Sequence, residues 1–169
     1  MTSSAFISSP VGPLFVTADE NYVTGISFTN SFKGKVINAD TIDLKLTNHP
    51  VIIECQKQLD EYFNGKRMEF ALPIKFIGSD FQNGVWRELL QIPYGRTISY
   101  LQLSKNINNV KAIRAVGTAN GSNKIVIVVP CHRVIGSNGS LVGYGGDLWR
   151  KKWLLDHEAK FGNGVMKLF

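Results

Sequence analysis

Ile125-Val126-Ile127-Val128-Val129 is an unbroken run of β-branched residues closed by Pro130. Branching at Cβ crowds a helix and suits a pleated surface, and an apolar run without alternation fits a strand covered on both faces. The run therefore predicts a buried strand that stops at Pro130 and presents the Cys131 thiol at its edge, beside His132 and Arg133. Positive neighbours favour the thiolate, which is the reactive form of cysteine. A structural cysteine at a strand end fits the same residues. Adjacent side chains in extended chain point to opposite faces, so the residues alone leave the two readings level.

The segments around this run have recognisable periods. Leu14–Thr17 and Tyr22–Phe28, separated by Asp19-Glu20-Asn21, predict a hairpin, while polar Lys33–Asn48 reads as a loop with room for one more strand. From Pro50 to Tyr62 the pattern is helical, with Ile52, Cys55, Leu59 and Tyr62 on one stripe and Gly65 as the stop. Cys55 is expected there as a small buried hydrophobe. Phe70–Phe76 suggests a short strand interrupted by Pro73, and a first domain ends near Gly78. Ser79 with Gln82 and Ser99 with Gln102 both have capping-box spacing. They predict a helix ending before Pro93 and a short helix over 100–106. Asn108-Asn109 then turns the chain into a second helix over Val110–Asn120, giving a helix-turn-helix outline. Leu148–His157 closes the chain as a helix after a glycine-rich loop.

Composition narrows the function class. The net charge is +6, but up to residue 84 seven basic side chains face nine acidic ones, whereas twelve basic face four acidic beyond it. A polyanion would dock on the second half, although a solvated basic surface gives the same excess. Two cysteines and no charged-then-apolar leader point away from a disulfide framework or a secretory signal, so a reducing, intracellular compartment is expected. The two cysteines and three scattered histidines lack metal-ligand spacing, and neither a metal nor a cofactor is expected.

The segment Ile127–Ile135, with Pro130-Cys131-His132-Arg133 at its centre, resembles the active-site signature of the O6-alkylguanine-DNA alkyltransferases. Gly78–Gln82, Trp86, Ile92–Thr97, Ser99-Tyr100, Arg114–Gly117 and Trp153–Glu158 follow in that family's order and spacing. Residues 76–158 carry the likeness strongly, and the earlier part more loosely through Ser9–Gly12 and Gln58–Phe63.

The resemblance implies an α/β (α+β) fold: a small N-terminal ribonuclease H-like sheet-and-helix domain over 1–77, then a mainly helical, winged-helix-like domain over 78–169 containing the helix-turn-helix. It implies a single-turnover methyltransferase in direct-reversal DNA repair. Cys131 would attack the alkyl carbon of O6-alkylguanine, with O4-alkylthymine as a second candidate substrate. His132 would deprotonate the thiol through a water and Glu158 would orient His132, a triad logic with water inserted. Arg114 would be the finger that fills the stack after the nucleotide is flipped, with Lys111, Ala112, Ala115 and Arg133 at the DNA. Tyr100 would lie by the flipped base and its phosphate, and Asn123 would brace the hairpin against the active-site loop. Val134 and Tyr144 would line the alkyl pocket, with backbone groups at Cys131, Val134 and Gly145 reading the guanine edge. The expected partner is double-stranded DNA bearing the lesion, met by a monomer in the cytoplasm, or in the nucleus of a eukaryotic source.

Two positions depart from the family pattern. Lys124 stands where proline is usual and would loosen the loop while adding a phosphate contact, and Asp147 replaces a glycine and would bring negative charge to the pocket rim. Two rival functions share these residues. Alkyltransferase-like proteins bind alkylated DNA without catalysis, but they carry tryptophan at the position of Cys131. A thiol hydrolase would use Cys131 and His132 for acyl transfer, but no orienting Asn or Asp stands at a recognisable spacing.

Overall fold

The computed structural model describes residues 2–30, 48–141 and 147–162. The chain begins with a three-stranded antiparallel sheet, β1 (Ser3–Ile7), β2 (Leu14–Ala18) and β3 (Val23–Phe28), in the order β1-β2-β3. The hairpin is where the sequence put it. The β1 strand has no sequence signal of its own, since Ser-Ser-Ala-Phe-Ile is poor in β-branched residues and gains its place from pairing with β2. Helix α1 (Pro50–Phe63) covers the sheet with Ile52, Cys55, Leu59 and Tyr62, and Gly65 closes it at φ +74°, in the left-handed region glycine adopts without strain.

The helical part comprises α2 (Asp80–Leu89), α3 (Tyr100–Asn106), a 3-10 turn over Val110–Ala112, α4 (Ile113–Gly121) and α5 (Leu148–Gly162). The Ser79 capping box is complete: Ser79 Oγ accepts from Gln82 N–H and Gln82 Oε1 accepts from Ser79 N–H. At Ser99 only half of the box forms, because the Gln102 amide donates to Asn106. Short parallel strands β4 (Ile98–Ser99) and β5 (Val134–Ile135) tie the start of α3 to the residues just after Arg133. Trp86 Nε1 donates to Ala119 O and fastens α2 to α4. None of the described helices is long and apolar enough to cross a membrane.

Two expected strands are absent. Phe70–Phe76 contributes only a bridge between Ile74 and Val23, because Pro73 has no N–H to continue a ladder. The Ile125–Val129 run is buried as expected but coils into tight turns. Ile125 bridges to Ile26, after which Val128 N–H turns back to Val126 O around Ile127 at φ +73°. That is a γ-turn of the rarer, strained hand, costing about 1–3 kcal/mol for a β-branched residue. Asn123 holds it: its Oδ1 accepts from Ile125 N–H and its Nδ2 donates to Val129 O at 2.7 Å. Burial of all five side chains and the Asn123 bracket override local strand propensity.

One contiguous apolar cluster runs through both halves, from Ile7 and Val16 through Tyr62 and Trp86 to Val129 and Leu154. The expected extra strand within 33–48 and the tail beyond residue 162 fall largely outside the described residues.

Candidate active site and nucleic-acid interface

Pro130 sits at φ −84°, ψ 64°, and Cys131 N–H closes back on Val129 O at 2.9 Å. This is an inverse γ-turn whose φ the proline ring pre-sets, and it delivers the chain into a 3-10 turn over Cys131–Arg133. The thiol thus stands on a turn rather than at a strand edge, and the opposite-faces objection to a Cys131–His132 partnership no longer applies. Asn120 Nδ2 donates to Cys131 O at 3.3 Å, so α4 grips the nucleophile's backbone.

Glu158, on α5, is the hub. Its Oε1 accepts from Arg133 Nε at 2.7 Å, and its Oε2 accepts from His132 Nε2 at 2.7 Å, Tyr62 Oη at 2.7 Å and Arg133 Nη2 at 3.0 Å. His132 is fully buried and Glu158 is 1% exposed. Burial would raise the Glu158 pKa, but His132 and the Arg133 fork outweigh it and hold the carboxyl well below the ordinary range. His132 is pushed below the usual imidazole value by burial, with Arg133 and Lys151 adding to that effect and Glu158 opposing it. The two shifts are compatible because Arg133 keeps Glu158 ionised even beside a neutral imidazole. An ionised carboxylate only accepts, so His132 carries its proton on Nε2 and offers a lone pair at Nδ1. Among the described residues that buried Nδ1 has no hydrogen-bond partner.

Lys151 was not singled out in the sequence. It is fully buried on α5, donates to Val134 O, lies 5.8 Å from the Tyr100 ring centroid and is lowered to about 8 by burial, against the opposing pull of Cys131. A desolvated cation near a thiol favours the thiolate. The half-buried Tyr100 phenol is raised by burial and by Cys131, with Asn120 acting the other way. Cys131, His132, Glu158, Tyr100 and Val134 therefore converge, and Asn123 supports the turn that leads to them.

Arg133 does not fit the DNA contact expected of it. It is 6% exposed, its guanidinium is spent on Glu158 and on Ile92 O, and it lies over the Tyr94 ring. Lys124 does not loosen its loop either: its ammonium donates to Ile77 O and its carbonyl accepts from Ile26 N–H, stapling the loop to the first half. Asp147 sits at φ +72°, which explains the family's glycine, and its carboxylate faces Arg150 at 3.6 Å. Tyr144 and Gly145 lie outside the described residues.

The α3–α4 pair presents Lys111, Arg114 and Ala115 to solvent, with Ala112 half-buried. Val116 and Ala119 turn inward. Gly117 faces the Tyr100 ring, where a Cβ would make an ordinary contact at 3.8 Å, so α4 and α3 lie close without glycine being required there.

Two family models match the chain: the ribonuclease-like domain of 6-O-methylguanine DNA methyltransferase over residues 4–76 and its DNA-binding domain over residues 80–160. The chain belongs to the 6-O-methylguanine DNA methyltransferase family. It is 43% identical to the methylated-DNA–protein-cysteine methyltransferase of Methanosarcina acetivorans, over 92% of this chain and 97% of that one. The Mycobacterium leprae methyltransferase of the same name is 40% identical over 90% and 89% of the two chains. Among solved structures, the Mycobacterium tuberculosis OGT in complex with DNA superposes with a TM-score of 0.81 at 40% identity, covering 94% of this chain and 93% of that one. The architecture of this methyltransferase family, a small sheet-bearing unit followed by a helical one, is the architecture seen here.

Proposed function

We propose that this protein reverses DNA alkylation directly, taking the alkyl group of O6-alkylguanine in duplex DNA onto Cys131 Sγ. In one displacement the S–C bond forms as the C–O6 bond breaks, and the electron pair leaves on guanine O6. The thiol proton passes through a water to His132 Nδ1, and Tyr100 is placed to supply a hydrogen bond to the departing base. The thioether remains, so each molecule acts once. The observation that carries this reading is the buried His132–Glu158 pair, which fixes the tautomer and leaves Nδ1 open in the residue next to Cys131. Cys131 is 3% exposed, which favours extrusion of the target nucleotide over attack within the stack. Arg114, exposed on α4, is the finger that fills the gap, while Lys111, Ala112 and Ala115 lie along the duplex. Residues 1–77 and 78–169 are the two domains of the chain, joined through one apolar cluster, the protein works as a cytoplasmic monomer, and no cofactor takes part.

Mass spectrometry after incubation with an O6-methylguanine duplex tests the reaction. A stable methyl adduct on Cys131 is expected, lost in Cys131→Ala while DNA affinity is kept. Tight binding with no adduct would make the protein a non-catalytic binder, and clearance of the lesion by Cys131→Ala would reassign the acceptor. Arg114→Ala separates flipping from chemistry. It is expected to slow duplex repair strongly and to leave reaction with a free O6-alkylguanine base nearly unchanged, since nothing has to be extruded. Equal losses on both would make Arg114 a support for the fold or the thiol.

A further inference from the structure

We propose that Tyr62, on α1 of the N-terminal half, is a positioning residue for the proton path at Cys131: its phenol donates to Glu158 Oε2, the oxygen that also accepts from His132 Nε2. The inference rests on Cys131 being the acceptor and His132 its base. It gives the N-terminal unit a part in the chemistry that its position in the chain, 96 residues before Glu158, does not suggest.

Three donors share that single oxygen: Tyr62 Oη, His132 Nε2 and Arg133 Nη2. Each one draws electron density that the others would otherwise receive, so Tyr62 limits how strongly Glu158 can pull on the imidazole N–H. The phenol cannot swing away. Tyr62 is fully buried, its ring lies 5.5 Å from Phe70, 6.1 Å from Tyr94 and 5.2 Å from His157, and its carbonyl takes His157 Nε2 at 2.7 Å. The titratable groups around the pair are Arg133 and Cys131 on the turn, Lys151 and His157 on α5, Tyr94 on the loop after α2, and Tyr62 itself. Among the described residues of the N-terminal half, Tyr62 is the one that donates to the shared oxygen.

Removing the phenol donor makes Oε2 a stronger acceptor for His132 and the imidazole a stronger base. The base must be unprotonated to take the thiol proton, so the acid limb of alkyl transfer moves to higher pH. In Tyr62→Phe, which keeps the ring, the limb and the His132 titration midpoint followed by imidazole NMR should both rise by about half a unit to one unit. Replacing Tyr62 with 3-fluorotyrosine, a nearly isosteric and stronger donor, should move both the other way. That variant keeps the test decisive if Tyr62→Phe folds poorly. Unmoved midpoints alongside a lowered melting temperature would reduce Tyr62 to a packing role, and shifts of the opposite sign would overturn the inference as well. If wild type forms no adduct on Cys131, the reaction itself is misread, and the His132 titration still reports whether Tyr62 governs the imidazole.

Discussion

The two cysteines are buried almost equally, yet they sit in opposite chemical surroundings. Cys55 is fully buried on α1 in the apolar stripe with Ile52 and Leu59, and burial alone pushes its thiol up to about 12. Cys131, 3% exposed, shares its turn with His132 and Arg133 and lies near the buried Lys151 ammonium. Depth alone silences the Cys55 thiol, whereas Cys131 at similar depth has a base and cations beside it, the surroundings that favour a thiolate. The contrast also shows why a cysteine count or a burial profile says little about reactivity.

The strongest way to break this contrast is to dismantle the hub. Glu158→Gln leaves Arg133 buried without a carboxylate and removes the fixed tautomer of His132. A loss of about 3–5 kcal/mol in denaturant melts at neutral pH is expected, with transfer slowed on the order of 100-fold or more. If single-turnover rates stay near wild type, His132 does not depend on Glu158. Acid should erase the stability difference. Glu158 has a depressed folded pKa, so its contribution is complete above its ordinary value of 4.5 and drains as pH falls toward the folded value. His132 is depressed too, and its contribution begins to be lost below 6.5. Melts of wild type and Glu158→Gln should therefore converge as pH falls below 4.5, and a constant gap would contradict the assignment. Cys55→Ala should have the smallest effect: about 1 kcal/mol of stability, full transfer activity and unchanged labelling of Cys131 by a thiol reagent. Alkyl label recovered on Cys55 would collapse the contrast.

Much of this was legible from local signals. The Ser79 box, Pro50 at the first turn of α1 and the Asn108-Asn109 break are short-range devices, and the helices start near their expected positions, although α5 runs five residues past His157 and Val110–Ala112 is a 3-10 turn. Failures came where distant residues decide. Five β-branched residues in a row imply a strand until Asn123 and the edge of β3 bend them into turns. Arg133 is expected as a DNA contact, yet nothing nearby in the chain announces that Glu158 takes its charge. Cys131, His132 and Glu158 were found through family resemblance, whereas Lys151 and Tyr62 are ordinary residues on helical faces whose roles emerge only when α1 and α5 meet. The signal for Lys151 was its place three residues before Leu154, on a helical face that is buried.

Arg150 offers a different kind of consequence. Buried on α5, it donates to Val11 O and to Thr29 O, carbonyls 139 and 121 residues earlier in the chain. During synthesis the sheet emerges long before this guanidinium exists, so the two carbonyls must stay hydrated or wait with α5's seat unfilled. Contacts of such sequence separation slow folding, because a long loop must close before they form. The first half is thus expected to remain loosely ordered on the ribosome, and the nascent chain becomes protease-resistant in a late, single step once residue 150 has cleared the exit.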